Sequence, residues 1–318
     1  MNWLAELDGR RVTVEVPATT ANLGAGYDCL GLALGLVDRV ELEVRGWAHG
    51  RVELAVEGEG ADELPAGREN RFVVALERVL ERARGPLPET LGWSVRMVNH
   101  IPLARGLGSS AAGTIGGLLA GNALLGGTAD AAALLTLAVE LEGHPDNAAA
   151  ALLGGFVVVD ATSGTPPRAV RFDAPRDLRA VLFVPDLRLP TERMRAVLPE
   201  RVPLEDAVAN LSRVAVGVAG IAAGRTDLLA ALTADRLHEP YRAAVYPQLP
   251  RLVAAAREAG ALGACLSGAG STVVAFSDSL AAITRIEAAL LAAAADQDFA
   301  GAVQVVEPRN AGARVLAP

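Results

Sequence analysis

Ile101-Pro-Leu-Ala-Arg-Gly106-Leu-Gly108-Ser109-Ser110-Ala111-Ala112 is the stretch on which the fold turns. An alternating segment ends just before it, proline and glycine break the chain, and a helix begins at a pair of serines. Serine side chains can cap a first turn, which leaves several backbone N–H groups pointing forward at the positive end of the helix. Such an end accepts a phosphate, and Gly106 and Gly108 let an oxyanion approach the backbone closely. The helix that follows carries Gly113, Gly116, Gly117 and Gly121, each weakening it by roughly 1 kcal/mol relative to alanine. So many small residues imply that something packs tightly along it. Taken alone, the loop could be an ordinary serine-capped turn; Gly-Leu-Gly-Ser-Ser-Ala together favours phosphate.

Outward from this loop, the first hundred residues read mostly as strands. Alternation marks Val12 to Ala18, Val37 to Val44, Arg51 to Glu57 and Trp93 to Asn99, with one amphipathic helix from about Asn70 to Arg84. Helices follow from Ser109 to Leu125, from Thr128 or Ala129 to Leu141 and from Pro145 to Leu152, and Phe156 to Asp160 reads as a buried strand. Residues Ala161 to Asp177 read as a connection with a short strand near Val170. A second mixture comes next, with strands at Ala180 to Pro185, Gly263 to Leu266, Thr272 to Phe276 and Ala302 to Val306 among helices. Because the strands cluster and do not alternate strictly with helices, two α+β domains meeting near residue 165 fit better than one parallel sheet.

The chain has 318 residues, 29 basic against 37 acidic, a net charge of -8 and 51% hydrophobic residues. Mean hydropathy is +0.31. These values exclude intrinsic disorder and give no basic footprint for nucleic acid. No apolar run reaches the ~20 residues of a membrane span, and Met1 to Val16 carries charges throughout, which predicts no signal-peptide core. Cys29 and Cys265 match no zinc spacing, so a soluble cytoplasmic protein is expected. There is no lysine anywhere. A Walker P-loop, whose lysine reaches the phosphates, is therefore impossible, as is Schiff-base chemistry.

The glycine loop is neither G-x-G-x-x-G nor Walker A, but it resembles the second motif of the GHMP small-molecule kinases. Pro17-Ala-Thr-Thr-Ala-Asn22-Leu-Gly-Ala-Gly-Tyr-Asp28 resembles that family's N-terminal motif in its homoserine-kinase form, and Gly263-Ala-Cys-Leu-Ser267-Gly268-Ala-Gly270-Ser-Thr resembles its third. Glu142-Gly-His144-Pro-Asp146-Asn147 is again of the homoserine-kinase type. The matches are in order and span nearly the whole chain. The resemblance implies an α+β two-domain GHMP kinase fold. Residues 1–165 would form an N-terminal nucleotide-binding domain like ribosomal protein S5 domain 2, and residues 166–318 a ferredoxin-like α/β sandwich.

It also implies an ATP-dependent, Mg²⁺-requiring phosphorylation of the L-homoserine hydroxyl in threonine biosynthesis, by a cytoplasmic homodimer without nucleic-acid or membrane partners. The alternatives are another small alcohol as substrate, or a non-catalytic nucleotide-binding member of the fold. Under this resemblance Pro102, Leu103, Ala104, Arg105, Gly106, Leu107, Gly108, Ser109, Ser110, Ala111 and Ala112 hold the nucleotide, with Asn70, Gly268 and the strand Trp93 to Asn99 as further candidates. Ser110 and Glu140 are the expected Mg²⁺ ligands, Glu140 being preferred to Glu142 because it sits one helical turn before His144. Asn22 would hold the reacting hydroxyl or a phosphate oxygen, and Asp28 the substrate ammonium. His144 and Asp146 frame a helix start, where either Asp146 or Asn147 could simply be capping. Thr191 would lie near the transfer site, with Arg195 and Arg242 clamping the carboxylate as guanidinium forks. Asn22, Asp28, Glu140 and Arg195 are thus the expected catalytic set.

Overall fold

The computed structural model describes residues 6–46, 49–162 and 165–316. β1 (Arg11–Ala21) and β2 (Leu30–Arg45) form a long antiparallel pair whose register shifts between Pro17 and Ala18. β3 (Val52–Gly58), α1 (Arg71–Arg84) and β4 (Gly92–Asn99) follow. β4 pairs antiparallel with β2 and parallel with β3, and a parallel pair needs the crossover that α1 supplies. Helices α2 (Ser109–Leu124), α3 (Ala131–Glu142) and α4 (Asp146–Leu153) come next, then β5 (Phe156–Asp160) on β2 and β6 (Arg168–Phe172) on β5.

β7 (Arg179–Pro185) opens a second sheet. Helices α5 (Thr191–Ala196), α6 (Leu204–Ala222), α7 (Leu229–Leu232), α8 (Glu239–Arg242) and α9 (Leu249–Glu258) lead to β8 (Gly263–Leu266) and β9 (Val273–Ser277). α10 (Leu280–Ala295) and β10 (Gly301–Val306) complete it. The spatial order β10-β7-β9-β8, antiparallel throughout, is the one a ferredoxin-like β-α-β-β-α-β unit produces. Finally β11 (Arg314–Leu316) returns to pair with β1, making the first sheet seven-stranded.

Two features differ from expectation. The sheets part between β6 and β7, so residue 165 falls short of the division, and β11 crosses back from the second half. β2 also starts at Leu30, well before Val37, because Leu30–Leu34 is buried on both faces and shows no alternation.

The glycine-rich helix behaves as its composition implies. α2 is covered by α1 along a stripe where a β-carbon at Gly117 would strike the carbonyl of Phe72 and one at Gly121 the Val79 side chain. Gly113 differs, since its nearest neighbour would be Arg71 Cβ at 3.5 Å, ordinary contact. Gly113→Ala should therefore raise stability by up to about 1 kcal/mol through helix propensity alone. Gly117→Ala should lower it by about 2 kcal/mol or more, as helix α1 is pushed away. Thermal melts of the two variants check the contrast, and equal shifts would contradict the packing described.

Candidate active site

Three loops meet where the two sheets face each other. Thr19 N donates to Leu107 O, Gly268 N to Ala21 O and Thr272 N to Arg105 O, each at 3.0 Å. Ser267 Oγ donates to Gly106 O at 2.7 Å and lies 2.9 Å from Thr20 Oγ1. A β-carbon at Gly106 would strike the Ser267 carbonyl, and one at Gly108 the Thr19 hydroxyl. Both glycines also have φ near +75°, at 74 and 75, where L side chains are strained.

Gly108 is the N-cap of α2 and the serines do not cap it, contrary to expectation: no side chain bonds to the first turn. The first helical bond runs from Ala112 N to Gly108 O, 2.8 Å. The amides before it therefore face outward at the positive end of a 16-residue helix. They form the floor of a cleft of about 120 Å³. Around it stand Asn22, Asp28, Pro102, Ala104 to Ala111, Glu142, His144, Asp146, Asn147, Thr191, Arg195, Arg242 and Gly268. Most of the expected residues thus come together.

Glu140 does not. Its half-exposed side chain pairs with Arg78 at 3.3 Å on the outer side of α3. Glu142 takes the place expected of it, with a side chain only 2% exposed and 3.6 Å from Arg71 Nε. It accepts from Ser110 Oγ at 2.9 Å and Thr114 Oγ1 at 2.5 Å. The buried stripe Leu134–Ala138 of α3 reaches Glu142 one turn further on, whereas Glu140 points away from it. That stripe was the available signal, obscured because nearly every position of α3 is apolar. Asn70 is also redirected: it caps α1, accepting from Phe72 N at 3.0 Å and donating to Pro65 O at 2.9 Å. Leu103 and Ala112 do not line the cleft, nor does the strand Trp93 to Asn99, whose Trp93 is buried against Glu77.

The other end of the cleft is built of ions. Arg195 grips Asp28 with both terminal nitrogens, at 2.6 and 3.0 Å, and donates to the Tyr27 hydroxyl at 2.9 Å. Half-burial alone would lower its pKa, but the bonds to Asp28 outweigh this and raise it. Arg242 is 1% exposed. It donates to Gly268 O (2.9 Å), Met194 O (3.2 Å) and His238 Nδ1 (3.0 Å). Asn22, instead of presenting a free amide, accepts from Asp28 N at 3.0 Å and donates to Gly268 O at 2.8 Å, so it ties two of the loops together. His144 lies 3.6 Å from Asp146, which raises the imidazole's pKa although burial opposes it. Asp146 accepts from Asn147 N at 2.8 Å, and Asn147 Oδ1 from Thr19 Oγ1 at 2.7 Å.

Among the described residues no three His, Cys, Asp or Glu side chains converge as a self-sufficient metal cluster. Ser110 and Glu142 do present adjacent hard oxygens beside the anion-binding amides. That donor set fits Mg²⁺, which is ordinarily held by one or two carboxylates with phosphate oxygens and water.

The family model "GHMP kinases N terminal domain" matches residues 70–155 and "GHMP kinases C terminal" matches residues 218–296. A homoserine kinase of Moorella thermoacetica is 44% identical over 304 residues, covering 95% of this chain and 99% of that protein. The crystal structure of homoserine kinase from Cytophaga hutchinsonii superposes with a TM-score of 0.85 at 32% identity, covering 96% of this chain and 97% of that one. An L. major mevalonate kinase shares the fold, with a TM-score of 0.68 at 17% identity, over 92% of this chain and 95% of that one.

Behind Arg242, α8 is anchored by Asp235, which accepts from His238 N (2.8 Å) and Glu239 N (2.7 Å). Glu239 is buried and accepts from Leu266 N at 2.7 Å, and burial pushes its pKa up to about 8 from an ordinary 4.5. Between those two values the folded protein binds a proton that the unfolded chain does not. Stability therefore falls as pH rises through that window and levels off above it. Glu239→Gln, which keeps the acceptor oxygen and removes the ionisation, should flatten this slope. Its melting temperature should exceed that of the unsubstituted protein at pH 8.5 and match it near pH 5; parallel curves would refute the assignment.

Proposed function

The chain belongs to the GHMP kinase family, on its homoserine kinase branch, and we propose that it transfers the γ-phosphoryl group of ATP to the side-chain hydroxyl of L-homoserine. The observation that carries this reading is a single cleft with an anion-binding helix end and the Ser110–Glu142 pair at one side and the Asp28, Arg195 and Arg242 ions at the other. A nucleoside triphosphate suits the first side and a zwitterionic amino acid the second.

Phosphoryl transfer proceeds through a loose, highly charged transition state, so positioning and electrostatics supply most of the catalysis. The outward amides of α2 cradle phosphate oxygens, Gly106 and Gly108 leaving room for them. Ser110 and Glu142 would hold Mg²⁺, which when bound neutralises charge on the phosphates. Arg242, fixed by three acceptors, and Arg195 direct guanidinium donors at the substrate carboxylate, while Asp28 is placed to receive the ammonium. That arrangement would bring the hydroxyl towards the phosphate floor, beside His144 and Asp146. Asp28, engaged with the substrate ammonium, is badly placed to take the hydroxyl proton, and positioning and electrostatics carry most of this chemistry. Assembly as a homodimer belongs to the same reading; Leu204, Val208 and Leu211 of α6 are exposed along one helix face, an apolar surface suited to a second copy.

ADP release measured with Mg·ATP and L-homoserine, D-homoserine, L-serine, mevalonate and galactose should be confined to L-homoserine. Turnover of mevalonate or galactose would keep the kinase and discard the assignment of Asp28 and the arginines. Glu142→Gln should reduce turnover about 100-fold or more with little change in melting temperature. Glu140→Gln should leave kinetics nearly intact; the reverse ranking would restore Glu140 as the metal ligand.

A further inference from the structure

Tyr27 has no part in the machinery assigned so far, yet both arginines of the clamp converge on it. Their guanidinium carbons each lie 5.5 Å from its ring centroid, within the range of a cation–π attraction. Its hydroxyl accepts from Arg195 at 2.9 Å. The ring rests against His238, centroids 5.3 Å apart, and His238 is itself pinned to Gly24 O at 2.8 Å. Tyr27 comes from the loop after β1, whereas the two arginines come from α5 and α8 in the second half of the chain.

The partners of the two arginines are not equally durable. Arg242 is held by Met194 O, Gly268 O and His238, none of which a substrate would displace. Arg195 is held by Asp28 and Tyr27, and an amino-acid ammonium competes for Asp28. Once Asp28 turns to the ammonium, the Tyr27 hydroxyl and ring are the contacts left to fix Arg195. We propose that Tyr27 is a positioning residue that holds Arg195 in register with Arg242 for the substrate carboxylate while Asp28 exchanges partners. This rests on reading the cleft as a homoserine site.

The test is steady-state kinetics of ADP release for Tyr27→Phe and Tyr27→Leu, with KM for L-homoserine and for ATP measured separately and melting temperatures alongside. Tyr27→Phe keeps the ring and should raise the homoserine KM about threefold; Tyr27→Leu loses both contacts and should raise it about 10- to 30-fold. ATP KM should stay within about twofold in both, because the nucleotide side of the cleft does not touch Tyr27. A homoserine KM unchanged in Tyr27→Leu, or one rising in step with ATP KM, overturns the proposal. Should Tyr27→Leu melt early, Tyr27→Phe decides, and an unchanged homoserine KM there overturns it. Failure of the unsubstituted protein to phosphorylate homoserine would overturn the functional reading and this inference with it, whereas normal turnover with insensitive variants defeats this inference alone.

Discussion

The whole site depends on three backbone loops that hydrogen-bond to one another without room for a side chain between them. The loop after β1, the glycine loop after β4 and the β8–β9 turn exchange Thr19–Leu107, Ala21–Gly268 and Arg105–Thr272 bonds. Each bond is worth about 1 kcal/mol net, but losing one partner strands a buried polar group at a higher cost. The loops are therefore mutually dependent. Since two of them hang from the first sheet and one from the second, the cleft exists only where the sheets are docked. Asn22 and Arg242 reinforce the same point by converging on Gly268 O.

Charge is then distributed over this frame so that neither end is left unsatisfied. At the end proposed for phosphate the positive helix terminus lies opposite Glu142, a carboxylate with almost no solvent exposure. Ser110, Thr114 and Arg71 offset the desolvation of that group. At the end proposed for the amino acid Asp28 and Arg195 neutralise each other. A zwitterion entering there exchanges one ion pair for two, whereas a ligand with a single charge would leave one partner stranded. Discrimination of this kind comes from the penalty on unpaired charge more than from any added attraction.

The division into elements was legible wherever one face of an element meets water. The strands of the first sheet beyond Val37 and the helix α1 show their periods plainly. Leu30–Leu34 does not, because burial on both faces removes the polar residues that would mark a period, and α3 does not, because its exposed face is built largely of alanine and so differs little in polarity from its buried one. The place of Glu142 in the cleft was hidden for that reason, its alignment with Leu134 and Ala138 being invisible in an apolar helix. The glycine motifs exposed the cleft from sequence because each glycine answers a specific close approach. Tyr27, His238 and Asn147 left no such mark: their roles depend on neighbours more than a hundred positions away, which no local pattern records. The short β11, three residues long, is likewise defined only by its pairing with β1.

The buried histidine shows how tightly the clamp's geometry is determined. Burial pushes the His238 pKa down to about 4 although Asp235 opposes it, so the ring is neutral at ordinary pH and carries one N–H. Nε2 faces a carbonyl that can only accept, and Nδ1 faces an Arg242 N–H that can only donate. The proton must therefore sit on Nε2. A second proton would place two donors and two cations against each other at Nδ1. Asp235 accepts from the amides of Leu237, His238 and Glu239 at the start of α8, which fixes the helix carrying Arg242, and its pull on the ring proton is outweighed by burial. The direction of the Arg242 guanidinium is thus set by a neutral acceptor on one side and carbonyls on the others.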